Sequence, residues 1–338
     1  MKRIITSLLL VLSLAVVPAV AGDDPDQVVE LEKKLEALSF RLDQVGKKVD
    51  DLLWFERVGD IAEIDKRFIP TVPDPDGKVG YGIEPERHPF KMWVYTFVPK
   101  ELDKGSKHPM LLLPHGGVHA DFTTYYTHIV RELVGLGYIV VAPEYRGSTG
   151  YGQGYYESID YGGLEVDDTV SARDWALSVM PFVDPKRVGI LGWSHGGLIA
   201  LMAVFDHPEK FQVAYAGVPV SDLVARMGYQ DQGYRDLYSV DYHIGKTAFE
   251  DVEEYRRRSP AWNAHKLQTP LLIHTNTNDN DVHVLEVEHL IAQLKAADRK
   301  FEYKIYKDVP GGHSFNRMDT PVAHESRKGI YAFLAKHL

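Results

Sequence analysis

Residues 187–201 constrain the fold more than any other stretch, because they read as a buried strand that turns abruptly into a helix. Residues 188–191 are a short apolar run with β-branched members, fit for a strand covered on both faces, and the small apolar residues from Gly197 onward suit a packed helix. Gly192-Trp193-Ser194-His195-Gly196 joins the two. In such a G-x-S-x-G turn the glycines leave room where no side chain fits, and the serine is held in strained backbone with its hydroxyl above the sheet edge. Ser194 then stands at the positive end of a helix, where the backbone N–H of His195 is free to receive an oxyanion. The pentapeptide alone also fits a glycine-rich turn whose serine merely caps the helix. A histidine and a carboxylate later in the chain decide between the two readings.

The surrounding pattern predicts an α/β fold. Strand-like runs at 90–98, 110–113, 138–142, 188–191, 213–216, 271–275 and 301–306 alternate with amphipathic stretches at 123–136, 165–180, 285–297 and 320–337. Such alternation implies a mostly parallel sheet with helices on both faces, the α/β-hydrolase arrangement, with ligands bound beyond the carboxyl ends of the strands, where Ser194 would sit.

A serine hydroxyl is a weak nucleophile; it needs a base, normally histidine, oriented by a carboxylate. In this fold the order along the chain is serine, acid, histidine. His313 follows the last strand in a glycine-rich loop, Pro310-Gly311-Gly312-His313, and is the candidate base. The acid lies in the loop Thr275-Asn276-Thr277-Asn278-Asp279-Asn280-Asp281-Val282, where Asp279 and Asp281 compete, Asp281 being also placed to cap the helix near Leu285. A second oxyanion donor is expected after an early strand at His115-Gly116-Gly117, with Gly117 the candidate. His115 and His119 have metal-like spacing but lie in a loop without an obvious third ligand, so structural or substrate-facing roles are favoured over zinc. This chemistry calls for no cofactor.

The amino-terminal region has a different character. A basic Met1-Lys2-Arg3, an apolar run over 4–17 and Ala19-Val20-Ala21 read as a secretory signal peptide over residues 1–21, which predicts a secreted or periplasmic, bacterial protein. The apolar run is too short for membrane insertion. The absence of cysteine fits a bacterial periplasm or medium, and the net charge of −10 argues against a nucleic-acid partner. Residues 22–56 form a heptad-repeat helix: Val28, Leu31, Leu35, Leu38, Leu42, Val45, Val49 and Leu52 alternate at spacings of three and four. It is either a coiled coil that makes a homo-oligomer or an amphipathic helix folded against its own catalytic domain. Residues 57–89, broken by prolines, read as a connector, and the catalytic domain spans 90–338.

Several ordered motifs together carry a resemblance: His115-Gly116-Gly117, Tyr145-Arg146-Gly147-Ser148-Thr149-Gly150-Tyr151-Gly152, Gly192-Trp193-Ser194-His195-Gly196-Gly197, Ser259-Pro260, residues 279–282 and Gly312-His313. The catalytic domain resembles that of the prolyl oligopeptidase family of serine peptidases, especially its dipeptidyl-peptidase and acylaminoacyl-peptidase branches. The resemblance implies a triad of Ser194, Asp279 and His313, oxyanion donors at Gly117 and His195, and peptide-bond cleavage through an acyl-enzyme. It places Arg146 and Tyr151 beside the active site; Tyr151 and Trp193 are candidate substrate contacts, while Arg146 is expected to pair with a carboxylate such as Asp168. Tyr229, Tyr234, Tyr238, Tyr242 and Tyr255 lie where lids are inserted, and are either packing with wetted hydroxyls or a pocket lining. Family members usually carry a β-propeller that screens the site, for which the region before residue 90 is too short. A carboxylesterase acting on small or aryl esters is therefore the alternative to a peptidase, and a non-catalytic scaffold is a third class that the complete triad disfavours.

Overall fold

The computed structural model describes residues 25–73, 89–117 and 119–338. The expected signal peptide, residues 22–24 of the expected heptad helix and residues 74–88 of the expected connector lie outside them. The described strands are β1 (Ala62–Pro70), β2 (Lys91–Pro99), β3 (His108–Leu112), β4 (Ile139–Glu144), β5 (Val183–Trp193), β6 (Val213–Gly217), β7 (Leu271–Asn276) and β8 (Glu302–Tyr306). They form one sheet in the order β1-β2-β4-β3-β5-β6-β7-β8. From β4 to β8 every pairing is parallel, whereas β1 on β2 and β2 on β4 are antiparallel. The apolar runs that lack alternation lie centrally: residues 188–193 of β5 and all of β6 and β7 are buried, as expected for strands covered by helices on both faces.

One expected boundary shifts. Residues 62–70, read as connector, are β1, paired in continuous register with β2 from Ala62↔Pro99 to Pro70↔Lys91. As an edge strand it carries Glu63, Asp65, Lys66 and Arg67 where an interior strand would carry apolar residues, which is why neither alternation nor a hydrophobic run marks it.

The N-terminal helix spans Pro25–Val58 and docks on the sheet unit through the face opposite its heptad seam. Trp54 and Val58 are fully buried there, the Trp54 indole stacked on Phe122 at 5.1 Å and edge-on to Phe97 at 4.9 Å. Phe40 meets Tyr156 edge-on at 5.5 Å.

The C-terminal helix, Pro321–His337, begins with its cap in place: Thr320 accepts a hydrogen bond from the Ala323 amide, and Pro321 occupies a position whose N–H would have no partner. Thr320→Ala is expected to cost about 1 kcal/mol, read as a lower urea midpoint with an unchanged slope.

Candidate active site

β5 delivers Ser194 at the carboxyl edge of the sheet. Its φ of 60° and ψ of −121° are strained for a residue with a side chain, a conformation that costs on the order of 1–3 kcal/mol. The surroundings over-determine it. The Ser194 amide donates to Gly217 O at 2.9 Å, and its carbonyl accepts from Leu198 and Val220, both at 3.1 Å. The turn is too tight for side chains: a Cβ on Gly192 would lie 2.1 Å from Gly196 O, and one on Gly196 would lie 2.3 Å from Pro114 O. The helix His195–Asp206 follows, so the His195 amide is in its first turn. The His195 imidazole is buried, with its Nε2 3.3 Å from Glu165 Oε1 and its ring 4.2 Å from that of Tyr161.

The acid and the histidine come from β7 and β8, two and three places from β5 in the sheet. Asp279 sits in the loop after β7, 7% exposed, and His313 in the loop after β8. His313 Nδ1 lies 2.8 Å from Asp279 Oδ2 and 3.0 Å from Oδ1. Asp279 Oδ1 also accepts from the amides of Asp281 and Val282, at 2.9 and 3.0 Å, which fixes the carboxylate. Of the two competing acids, then, Asp279 holds the orienting nitrogen of the imidazole. Asp281 instead pairs with Arg226 at 2.8 Å, and its Oδ2 lies 3.8 Å from His313 Nε2. Nor does it cap the following helix, Val284–Ala296, where His283 accepts from the Leu285 amide.

Side-chain amides of the acid loop clamp the histidine loop. Asn276 Nδ2 donates to Gly312 O and Asn278 Nδ2 to Val309 O, both at 2.9 Å. Arg317 Nη2 donates to His313 O at 2.5 Å. Three residues beyond His313, Asn316 accepts from the Trp193 indole at 3.0 Å, so the residue before the serine is tied directly to the histidine loop. Among the described residues the Ser194 hydroxyl and the His313 ring share no hydrogen bond; such contacts are commonly loose without substrate and tighten when one binds.

The third loop follows β3. The Gly116 amide is engaged by Tyr126 Oη at 3.1 Å, and Gly117 turns with φ of 93°. A Cβ on Gly116 would lie 3.3 Å from that of Ser194, which puts this loop against the nucleophile. His115 and His119, spaced like metal ligands, diverge. His115 is buried, stacked on Tyr145 with its Nε2 2.9 Å from Ser148 Oγ, and burial lowers its pKa to about 3. His119 lies flat on Tyr156, its Nδ1 3.1 Å from Gly147 O, and burial lowers its pKa to about 4. Both are neutral at physiological pH.

The remaining expected positions separate. Arg146 forms a bidentate pair with Asp168, 2.8 Å at both contacts and fully buried. Trp193, a candidate substrate contact, is fully buried against Tyr215 and presents no surface to a substrate; as the last residue of the apolar strand β5, its side chain continues the core. Tyr151 packs on Tyr155 and on Lys66. In the 223–262 region Tyr238 and Tyr255 are buried, with hydroxyls bonded to Tyr234 Oη and Lys246 O, both at 2.8 Å; this is the packing alternative. Arg226, which sequence reasoning missed, joins that region to the acid loop, bridging Asp281 and the buried Glu286.

A model of the prolyl oligopeptidase family matches residues 124–338. The chain is 32% identical over 225 residues to the uncharacterized peptidase YuxL of Bacillus subtilis, covering 66% of this chain and 33% of that protein. It is 30% identical over 258 residues to mouse dipeptidyl peptidase 8, covering 71% and 28%. The chain thus spans about a third of the length of these curated relatives. Among solved structures, an acylaminoacyl peptidase from Pyrococcus horikoshii superposes with a TM-score of 0.67 at 20% identity, over 85% of this chain and 43% of that one, a likeness of fold.

Proposed function

Since the chain belongs to the prolyl oligopeptidase family, we propose that it is a serine peptidase, that Ser194, His313 and Asp279 form its catalytic triad and that it cleaves amide bonds of small peptides. The observation that carries this reading is the convergence of the loops after β5, β7 and β8, with His313 Nδ1 held by Asp279 at 2.8 Å and the Ser194 turn tied to the histidine loop through Trp193 and Asn316.

In the proposed reaction Ser194 Oγ attacks the substrate carbonyl while His313 Nε2 takes its proton, and Asp279 stabilises the imidazolium. The oxyanion is received by the amides of His195 and Gly117, the Gly116 amide being already engaged by Tyr126. His313 then returns the proton to the leaving amine. Water, activated by the same imidazole, hydrolyses the acyl-enzyme.

Aminoacyl and dipeptidyl amides assayed beside short-chain aryl esters, with Ser194→Ala as the control, test the proposal. Hydrolysis of both substrate types, lost in the variant, is expected, because an ester offers the same machinery a better leaving group. Ester turnover without amide cleavage would replace the peptidase reading by the carboxylesterase one. Amide cleavage that survives the substitution would remove Ser194 from the mechanism.

A further inference from the structure

We propose that the N-terminal helix pairs with a second copy of this chain as a parallel, two-stranded coiled coil that holds two catalytic domains on its outer flanks. The helix has two faces with one seven-residue period. Phe40, Lys47 and Trp54, each seven apart, face the catalytic domain, where Lys47 is 4% and Trp54 0% exposed. Half a turn away lies the heptad seam. Its eight apolar residues, from Val28 to Leu52, are between 48% and 72% exposed. The helix does fold against its own domain, but through this one face: among the described residues the domain occupies the side opposite the seam and leaves the seam to another helix.

The area is sufficient. Eight such side chains, each removing on the order of 100 Å² from water, amount to about 800 Å² per partner, the size of a standard stable interface. The stripe is two positions in seven, the narrow seam of a coiled coil rather than the broad apolar face of a helix lying on lipid.

Charge selects the orientation. With Val28, Leu35, Leu42 and Val49 at position a, the g positions hold Lys34, Arg41 and Lys48, and the e positions hold Glu32, Ser39, Gly46 and Leu53. Antiparallel pairing sets g against g, which would oppose basic residues along the interface. Parallel pairing sets g against e, where no basic residue stands, and places Gln27 opposite Glu32. The parallel arrangement also carries both catalytic domains at the same end, on opposite sides of the pair.

Light scattering on the purified protein is expected to give twice the chain mass, and the Leu35→Glu/Leu42→Glu double variant the mass of one chain, with the circular dichroism and thermal midpoint of the catalytic domain retained because both side chains are exposed in the single chain. As the chain has no cysteine, single introduced thiols report orientation. Leu31→Cys, on the seam near one end, is expected to cross-link two chains under mild oxidation, and Glu30→Cys, off the seam, is not. A single-chain mass for the unmodified protein at every concentration, a dimer that survives the double substitution, or a mass of three or four chains would each overturn the proposal. So would failure of Leu31→Cys to cross-link, or single chains that sediment with phosphatidylglycerol vesicles.

Discussion

Replacing His313 by alanine is expected to lower amide turnover by about 10³-fold or more, because the Ser194 hydroxyl loses the base that makes it a nucleophile. The loss should appear in kcat rather than KM, since proton transfer matters in the transition state and not in substrate binding. Asp279→Asn should cost on the order of 10⁴-fold: an amide in its place presents the wrong tautomer of the ring to the serine. Asp281→Asn is the informative contrast. Asp281 lies 3.8 Å from His313 Nε2 but bonds to Arg226, so its loss should change turnover by less than about tenfold. Because effects within a triad are not additive, the Ser194→Ala/His313→Ala double variant should be no slower than Ser194→Ala alone. Steady-state kinetics on one dipeptidyl amide checks all four. Near-normal turnover in His313→Ala would remove the histidine from the reaction, and comparable losses in the two aspartate variants would undo the assignment of Asp279.

What the sequence made legible was whatever short-range pattern encodes. The apolar runs at 188–191, 213–216 and 271–275 mark buried parallel strands, and the glycine pairs flanking Ser194 and preceding His313 mark turns that side chains cannot enter. The order of serine, acid and histidine then places three loops at one sheet edge, and the spacing between Asp279 and Val282 indicates which carboxylate turns inward. Polar contacts between distant segments leave no such trace. Asn276 and Asn278 read as ordinary loop residues until the histidine loop is folded against them, and Arg226 has no visible relation to Asp281 and Glu286, 55 and 60 positions away. The burial of Trp193 is hidden for a related reason: adjacency to Ser194 in the chain says nothing about direction, because successive strand residues face opposite sides of the sheet. β1 escaped notice because an edge strand with a wetted face needs no apolar repeat.

The helix that carries the seam hides the most consequential of these contacts. Lys47 stands among charged residues in the sequence and looks like one more solvated position, yet its ammonium is buried among carboxylates. It donates to Phe122 O at 2.7 Å and pairs with Glu144 Oε1 at 2.7 Å, with Asp121 at 3.3 Å and Asp51 at 3.5 Å further out. Glu144, fully buried at the end of β4, also accepts from the Phe122 amide at 3.1 Å and lies 3.5 Å from His115, the residue before Gly116 and Gly117. Burial pushes the Lys47 pKa down, but Glu144, Asp121 and Asp51 outweigh it and hold the ammonium above its ordinary value. Lys47→Met therefore leaves the buried Glu144 carboxyl without its partner, and a loss of about 3–5 kcal/mol in urea unfolding is expected. Lys47→Met/Glu144→Gln removes both charges and should recover more than half of that loss, because the penalty belongs to the stranded carboxylate rather than to the missing attraction. The pH dependence has a defined sign. A pKa raised by folding contributes stability that is fully present below the unfolded value of about 10.4 and declines as pH rises from there through the folded value. The gap between the unmodified protein and Lys47→Met should thus hold constant through neutral and mildly alkaline pH and narrow only above about pH 10. A gap that narrows already near neutrality, or a double variant as unstable as the single one, would show that the buried pair is not what anchors this helix.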